Sequence, residues 1–193
     1  MDRLYSLRRA NRSVRLLVAL FLAVQGCAYV FAFLMVRTYA GLTPGRVAAT
    51  YAPPAAIAPG ALPSHSTMQT EPLDLSSMSE EAHVVDTDLL IQDSHVHILL
   101  YAIVAALQSL IVLGLDWPAW WRDTVITTAF ASGAFDFAGQ WLVKAGLSAF
   151  ALLTIASGWA MAAVYLVVAF GAFRALIRSE RPPVIREHEL QGN

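Results

Sequence analysis

Six polar residues recur at every fourth position between 124 and 144: Thr124, Thr128, Ser132, Asp136, Gln140 and Lys144. On a helix this spacing stacks them into one slowly drifting ridge whose neighbours can touch. The residues around them are apolar, and a carboxyl in such surroundings is expensive unless it faces a bundle interior or a water-filled cavity and meets a partner. Three roles fit Asp136: an acid that fixes helix register, a group in a proton or ion path with Thr128, Ser132 and Gln140, or a support for a partner subunit or cofactor.

Histidine supplies a second set. Four of the five, His65, His83, His95 and His97, precede the second apolar stretch or open it. His65 with Met68, and Met78 with His83, combine imidazole and thioether, donors that suit copper. His95 and His97 stand in Asp93-Ser-His-Val-His97, and imidazole alone can ligate haem iron or zinc. Side chains at i and i+2 of a helix point about 200° apart, so both grip one metal only where the helix end is unwound. No other apolar stretch contains histidine, so a second axial ligand for a buried haem would come from the loop, a second copy or another subunit. The other readings of His95 and His97 are structural hydrogen bonding and proton handling at a membrane edge. His65, Met68, Met78 and His83 also read as ordinary solvated loop residues.

The elements that must position these groups read as membrane spans. Of the 193 residues 57% are hydrophobic and 14% charged, where soluble domains carry about 25% charged residues. A helix needs about 20 apolar residues to cross the hydrocarbon core. Four stretches supply that length: 16–36, 95–115, 124–143 and 147–173. Backbone groups cannot go unpaired in lipid, so each is expected to be helical, giving an all-α integral membrane four-helix bundle. The first stretch follows several arginines and contains Val24-Gln25-Gly26-Cys27, faintly like a lipoprotein cleavage site. Its apolar run continues past Cys27 to Val36, which predicts a retained helix with Cys27 as a small apolar residue.

Arginines set the expected orientation, because basic residues concentrate on the cytoplasmic side. Arg3, Arg8, Arg9, Arg12 and Arg15 precede the first span, Arg122 lies between the second and third, and Arg174, Arg178, Arg181 and Arg186 follow the fourth. The basic segment 1–15 and the tail 174–193 are thus expected in the cytoplasm of a bacterial cell, with the spans in its inner membrane. Residues 37–94 become one long periplasmic loop. In it Thr43 and Pro44 predict a short helix to Thr50, a Pro-rich connector follows from Ala52, and the part from Glu71 to Asp93 is acidic. Asp93 or Ser94 is the expected cap of the second span. Trp117, Trp120 and Trp121 read as an interfacial anchor.

Asp136 lies eight residues from Lys144, about 12 Å below the outer surface. Tyr29, Tyr101, Thr154 and Ser157 are expected near that level as donors. Gln25 and Gln108 are expected to bond each other, and Gly133 and Gly139 to let neighbouring helices approach.

Several function classes drop out. A net charge of −1 lacks the footprint for nucleic acid. One cysteine cannot form a disulfide framework, a thiolate zinc site or an iron-sulfur cluster within one chain. No nucleophile-base pair, phosphate loop, dinucleotide fingerprint or metalloprotease signature is present, so no enzyme is expected.

Gly41-Leu-Thr-Pro-Gly-Arg-Val-Ala-Ala-Thr-Tyr51 and Ser94-His-Val-His97 resemble segments of an uncharacterised bacterial four-helix membrane family with a Ser-His-x-His motif and an acid in the third helix. Such proteins accompany multihaem cytochromes. The resemblance implies association with an electron-transfer system and identifies no reaction. The outward placement of four histidines and the polar third helix lead to the expectation of a small subunit or accessory of a membrane redox complex, with His95 and His97 helping to bind a haem or metal. The alternatives are a proton or ion transporter using the ridge, and a periplasmic copper-handling or assembly factor. Expected partners are the lipid bilayer and either other membrane subunits or further copies of the chain; the expected cofactor, if any, is haem or copper.

Overall fold

A computed structural model describes residues 5–51 and 85–178. The copper-type set His65, Met68, Met78 and His83 lies outside the described residues, as do the Pro-rich connector, most of the acidic stretch and the end of the C-terminal tail.

Every regular element among the described residues is helical. Helix α1 runs Arg12–Met35, and Asn11 caps it by accepting from the Val14 N–H at 2.9 Å. A wide π turn, Val36–Ala40, carries the helix on until Gly41, whose positive φ of 77° reverses the chain. The short helix α2, Pro44–Tyr51, forms where Thr43 and Pro44 place it, with the Thr43 hydroxyl accepting from the Arg46 N–H at 3.4 Å. Helices α3 (Thr87–Leu113), α4 (Ala119–Lys144) and α5 (Ala151–Ile177) follow.

The start of α3 corrects the expected boundary at 95. Asp86 is the cap, accepting from the Leu89 N–H at 2.7 Å, and Asp88 follows in the first turn, where acids favour the exposed N–H groups of a helix start. Asp93 and Ser94 lie inside the helix and cap nothing. The connector expected over 37–94 is correspondingly shorter at both ends: 37–40 prolong α1, and α3 takes the residues from Thr87.

The four long helices alternate in direction. At one end the Leu7 N–H donates to the Gly114 carbonyl at 2.8 Å, the Tyr5 hydroxyl to the Leu110 carbonyl at 2.6 Å, and the Arg15 guanidinium to the Leu176 carbonyl at 2.8 Å. The N-terminal segment is thereby tied to the last turns of α3 and α5. Helix α4 packs between α3 and α5, and α1 lies against α5 with only Val18, Leu22 and Gln25 buried. At Gly139 the approach of α4 to α5 leaves no room for a Cβ, which would fall on the Thr154 hydroxyl.

Apolar residues face outward in bulk: Leu17 is 68% exposed, Phe31 72% and Phe170 68%. That surface suits lipid. Three helical stretches are long and apolar enough to cross a membrane, Arg12–Ala40, Thr87–Leu113 and Ser148–Ile177. Helix α4, with 26 residues, matches them in length but carries the polar ridge.

Candidate functional site

The bundle interior divides into two halves of different chemistry. Toward the end that carries Trp117 it is a close-packed apolar cluster, including Leu22, Ile111, Val112, Val125, Val164 and Val168. Toward the Lys144 end it is polar. The ridge of α4 supplies most of that polarity, and Ser132, Asp136 and Gln140 are all buried. Helical phase explains this: residues four apart drift slowly, so the stretch that faces α3 and α5 at Ser132 still faces them at Gln140.

Asp136 is 9% exposed, and its Oδ2 accepts from Gln140 Nε2 at 3.0 Å. The donor is therefore on the same helix, one turn on. The hydroxyls expected from other helices do not reach it: Ser157 donates to the Leu153 carbonyl, Thr154 Oγ1 is buried without a partner, and the nearer half of the ridge bonds to its own backbone, Thr128 to Thr124 and Ser132 to Ala129. Short hydroxyl side chains on a helix reach the preceding turn more readily than a neighbouring helix.

The expected pair Gln25 and Gln108 is also not made. Gln25 Nε2 and Oε1 and Gln108 Nε2 are buried and do not bond each other; the Tyr29 hydroxyl lies beside both amides without a well-formed hydrogen bond to these atoms. Near them is a cavity of about 20 Å3 lined by Tyr29, Tyr101, Gln108 and Ser132, among others. That volume matches about one water, and polar groups on several sides are what a buried water needs.

Asp93, His97 and Tyr101 form a second four-residue series, on α3. His97 Nδ1 lies 2.8 Å from Asp93 Oδ1 and 3.0 Å from the Asp93 carbonyl. Its ring is 6.0 Å from that of Tyr101, which in turn lies 5.5 Å from Phe137 on α4. His97 and Asp93 are both close enough to Asp136 to act on it electrostatically. Both are also about half exposed, His97 at 44% and Asp93 at 45%, so the series runs from solvent toward the buried carboxyl. The spacing Asp93, His97, Tyr101 could have been read from the sequence, as the α4 ridge was.

His95 points elsewhere. Because the helix begins at Thr87, positions 95 and 97 are regular helix; His95 is exposed and His97 turns toward α4. The two therefore do not converge on one metal, as their i and i+2 spacing requires once the helix end is regular. Among the described residues no three His, Cys, Asp or Glu side chains gather into a metal-holding group.

Helix α2 packs against α4 and α5 at this end. Val47 packs with Val143 and Ala151, and Tyr51 packs beside them. Burial, with Asp136 and Asp93 nearby, pushes the Tyr51 hydroxyl up to about 12. The Trp141 indole donates to the Ser94 hydroxyl at 3.0 Å, and Lys144 Nζ donates to the Val85 carbonyl, tying α4 to the start of α3. These ties, and Tyr51, were not evident from the sequence.

The polar half of the bundle lies within a stretch that matches a known family. Residues 66–183, which include all of α3, α4 and α5, match the Aq_1264_TM family, described as a transmembrane helical domain. This chain belongs to that family. Asp136, Gln140, His95 and His97 all fall inside the Aq_1264_TM match, whereas α1 and α2 lie outside it. No curated protein and no solved structure matches the chain. Membership of a transmembrane family and the three long apolar helices make this an integral membrane protein.

Proposed function

We propose that the chain is a small subunit of an electron-transfer complex in the bacterial inner membrane. In this reading α4 also spans, both termini are cytoplasmic, and the Lys144 end faces outward. The Asp93, His97 and Asp136 series exchanges protons with the outer side for the complex.

The observation that carries the reading is the one-sided polarity of the bundle. The buried polar groups extend from Ser94 and Gln140 to Ser132 and Gln108, with the half-exposed Asp93 and His97 at their outer end, and beyond them the interior is filled by Val112, Val125, Val164 and Val168. A polar seam open at one end and dry at the other serves a group on one side of the membrane; it offers no continuous path across a single chain. This favours a subunit over a self-contained transporter. Spanning by α4 is supported by its length and by its place between two apolar helices, which shields its ridge from lipid. The orientation is supported by Arg8, Arg9, Arg12, Arg15, Arg174 and Arg178 at the Trp117 end. If a haem or metal is held at this surface, His97 and His95 serve it singly, with the remaining ligands from a partner.

The test is gentle purification of a tagged copy at native expression, followed by an absorbance spectrum and identification of co-purifying chains. A cytochrome partner is expected, and Asp136→Asn should leave that assembly intact while slowing its proton-coupled turnover. A solitary protein would overturn the subunit reading, and unchanged turnover in the Asp136→Asn assembly would remove Asp136 from proton exchange.

A further inference from the structure

We propose that the recess at the arginine-bearing end of the bundle holds the phosphodiester of an anionic phospholipid. The recess has a volume of about 300 Å3, and its walls include Arg8, Asp116, Trp117, Phe170, Gly171 and Arg174. It lies where the N-terminal segment, the α3–α4 turn and the last turns of α5 meet.

Its shape depends on Gly171. A Cβ at that position would fall on the Trp117 ring, so the indole rests against bare helix backbone. Trp117 in turn contacts Trp121 edge-on, with ring centroids 6.4 Å apart. Arg8 is held by Asp116, Nε to Oδ2 at 3.1 Å, which orients its guanidinium at the mouth. Arg174 has no acidic partner among the described residues. Among the described residues lining the recess two guanidinium groups stand against one carboxylate, an excess of one positive charge, and a phosphodiester carries one negative charge. Guanidinium groups also match phosphate oxygens in geometry.

The surroundings select a lipid over a free anion. From Arg174 toward the middle of the bundle, Phe170 and Leu166 follow at four-residue steps on α5, exposed by 68% and 63%. They form an apolar track that starts at the recess and runs into the hydrocarbon region, where an acyl chain attached to the phosphodiester would lie. Inorganic phosphate would meet the arginines and leave the track unused.

Native mass spectrometry in detergent, with phosphatidylglycerol or phosphatidylcholine titrated into the purified full chain, tests the assignment. Phosphatidylglycerol should be retained in preference to phosphatidylcholine. Arg174→Gln and Arg8→Gln should each weaken phosphatidylglycerol binding about fivefold, the effect of one basic contact to an anionic headgroup. Arg174→Lys should keep most of it, and Phe170→Ala should weaken it with the arginines intact. The two arginine variants are read separately, so misfolding of one leaves the other as the test, and thermal unfolding with phosphatidylcholine alone identifies a misfolded variant. Equal retention of the two lipids, or unchanged phosphatidylglycerol binding in a folded arginine variant, would overturn the proposal. So would displacement of phosphatidylglycerol by millimolar inorganic phosphate, which would make the recess a site for a free anion.

Discussion

Asp136 depends on one neighbour. Its Oδ2 accepts from Gln140 at 3.0 Å, while Gln140 Oε1 is itself buried without a partner. Gln140→Leu should cost about 1–2 kcal/mol, because it leaves a buried carboxyl oxygen without its donor. Asp136→Asn keeps an acceptor oxygen facing Gln140 and should change stability by less than about 1 kcal/mol. Reversible unfolding in mixed micelles measures both. Tyr51 gives a pH signature at the same scale. Its hydroxyl holds its proton to about 12 in the folded chain, against 10.0 for an ordinary tyrosine. Its contribution is therefore complete below pH 10 and is lost as the pH rises toward 12, where the unfolded chain has given up the proton and the folded one has not. A stability profile over that interval should flatten in Tyr51→Phe. The polar ridge was legible from spacing alone, and so was the need to bury Asp136. Its partner was not, because the i to i+4 reach of Gln140 competes equally with hydroxyls on three other helices, and only packing decides which of them comes close.

At the scale of elements the contact between α4 and α5 turns on Gly139. Gly139→Ala should destabilise by about 1–3 kcal/mol, since its Cβ meets the Thr154 hydroxyl and lies 3.0 Å from the Thr154 backbone nitrogen. Gly133→Ala, whose Cβ would sit at an ordinary 3.4 Å from Tyr101, serves as the mild comparison. Thermal unfolding of the pair checks the difference. Helix boundaries were less legible than helix positions. Thr43 and Pro44 announced α2 because capping chemistry is local. The first turns of α3 were hidden because Asp86, Asp88, Gln92 and Asp93 read as a polar loop when the criterion is hydropathy, although acids belong at a helix start. In α4 the ridge lowers the mean hydropathy of a helix nearly as long as its neighbours.

Across the described residues, many large apolar side chains lie outside and most of the buried polar ones are gathered toward one end, the arrangement of a protein whose solvent is lipid. Cysteine labelling on a Cys27→Ser background tests the proposed topology. Ser6→Cys and Arg178→Cys should react from the same side of the membrane and Thr43→Cys from the other. A three-span chain would instead place Ser6 and Arg178 on opposite sides.

Arg15 bonds to a carbonyl 161 residues further along the chain, and Tyr5 to one 105 residues further on. Helix α1 leaves the ribosome before α3 and α5, so the groups that anchor it are made after it. During synthesis α1 therefore waits in the bilayer without its α3 ties until α3 is made, and without the Arg15 anchor until α5 has been inserted. Its apolar surface, of which little is buried even in the finished bundle, equips it for that interval.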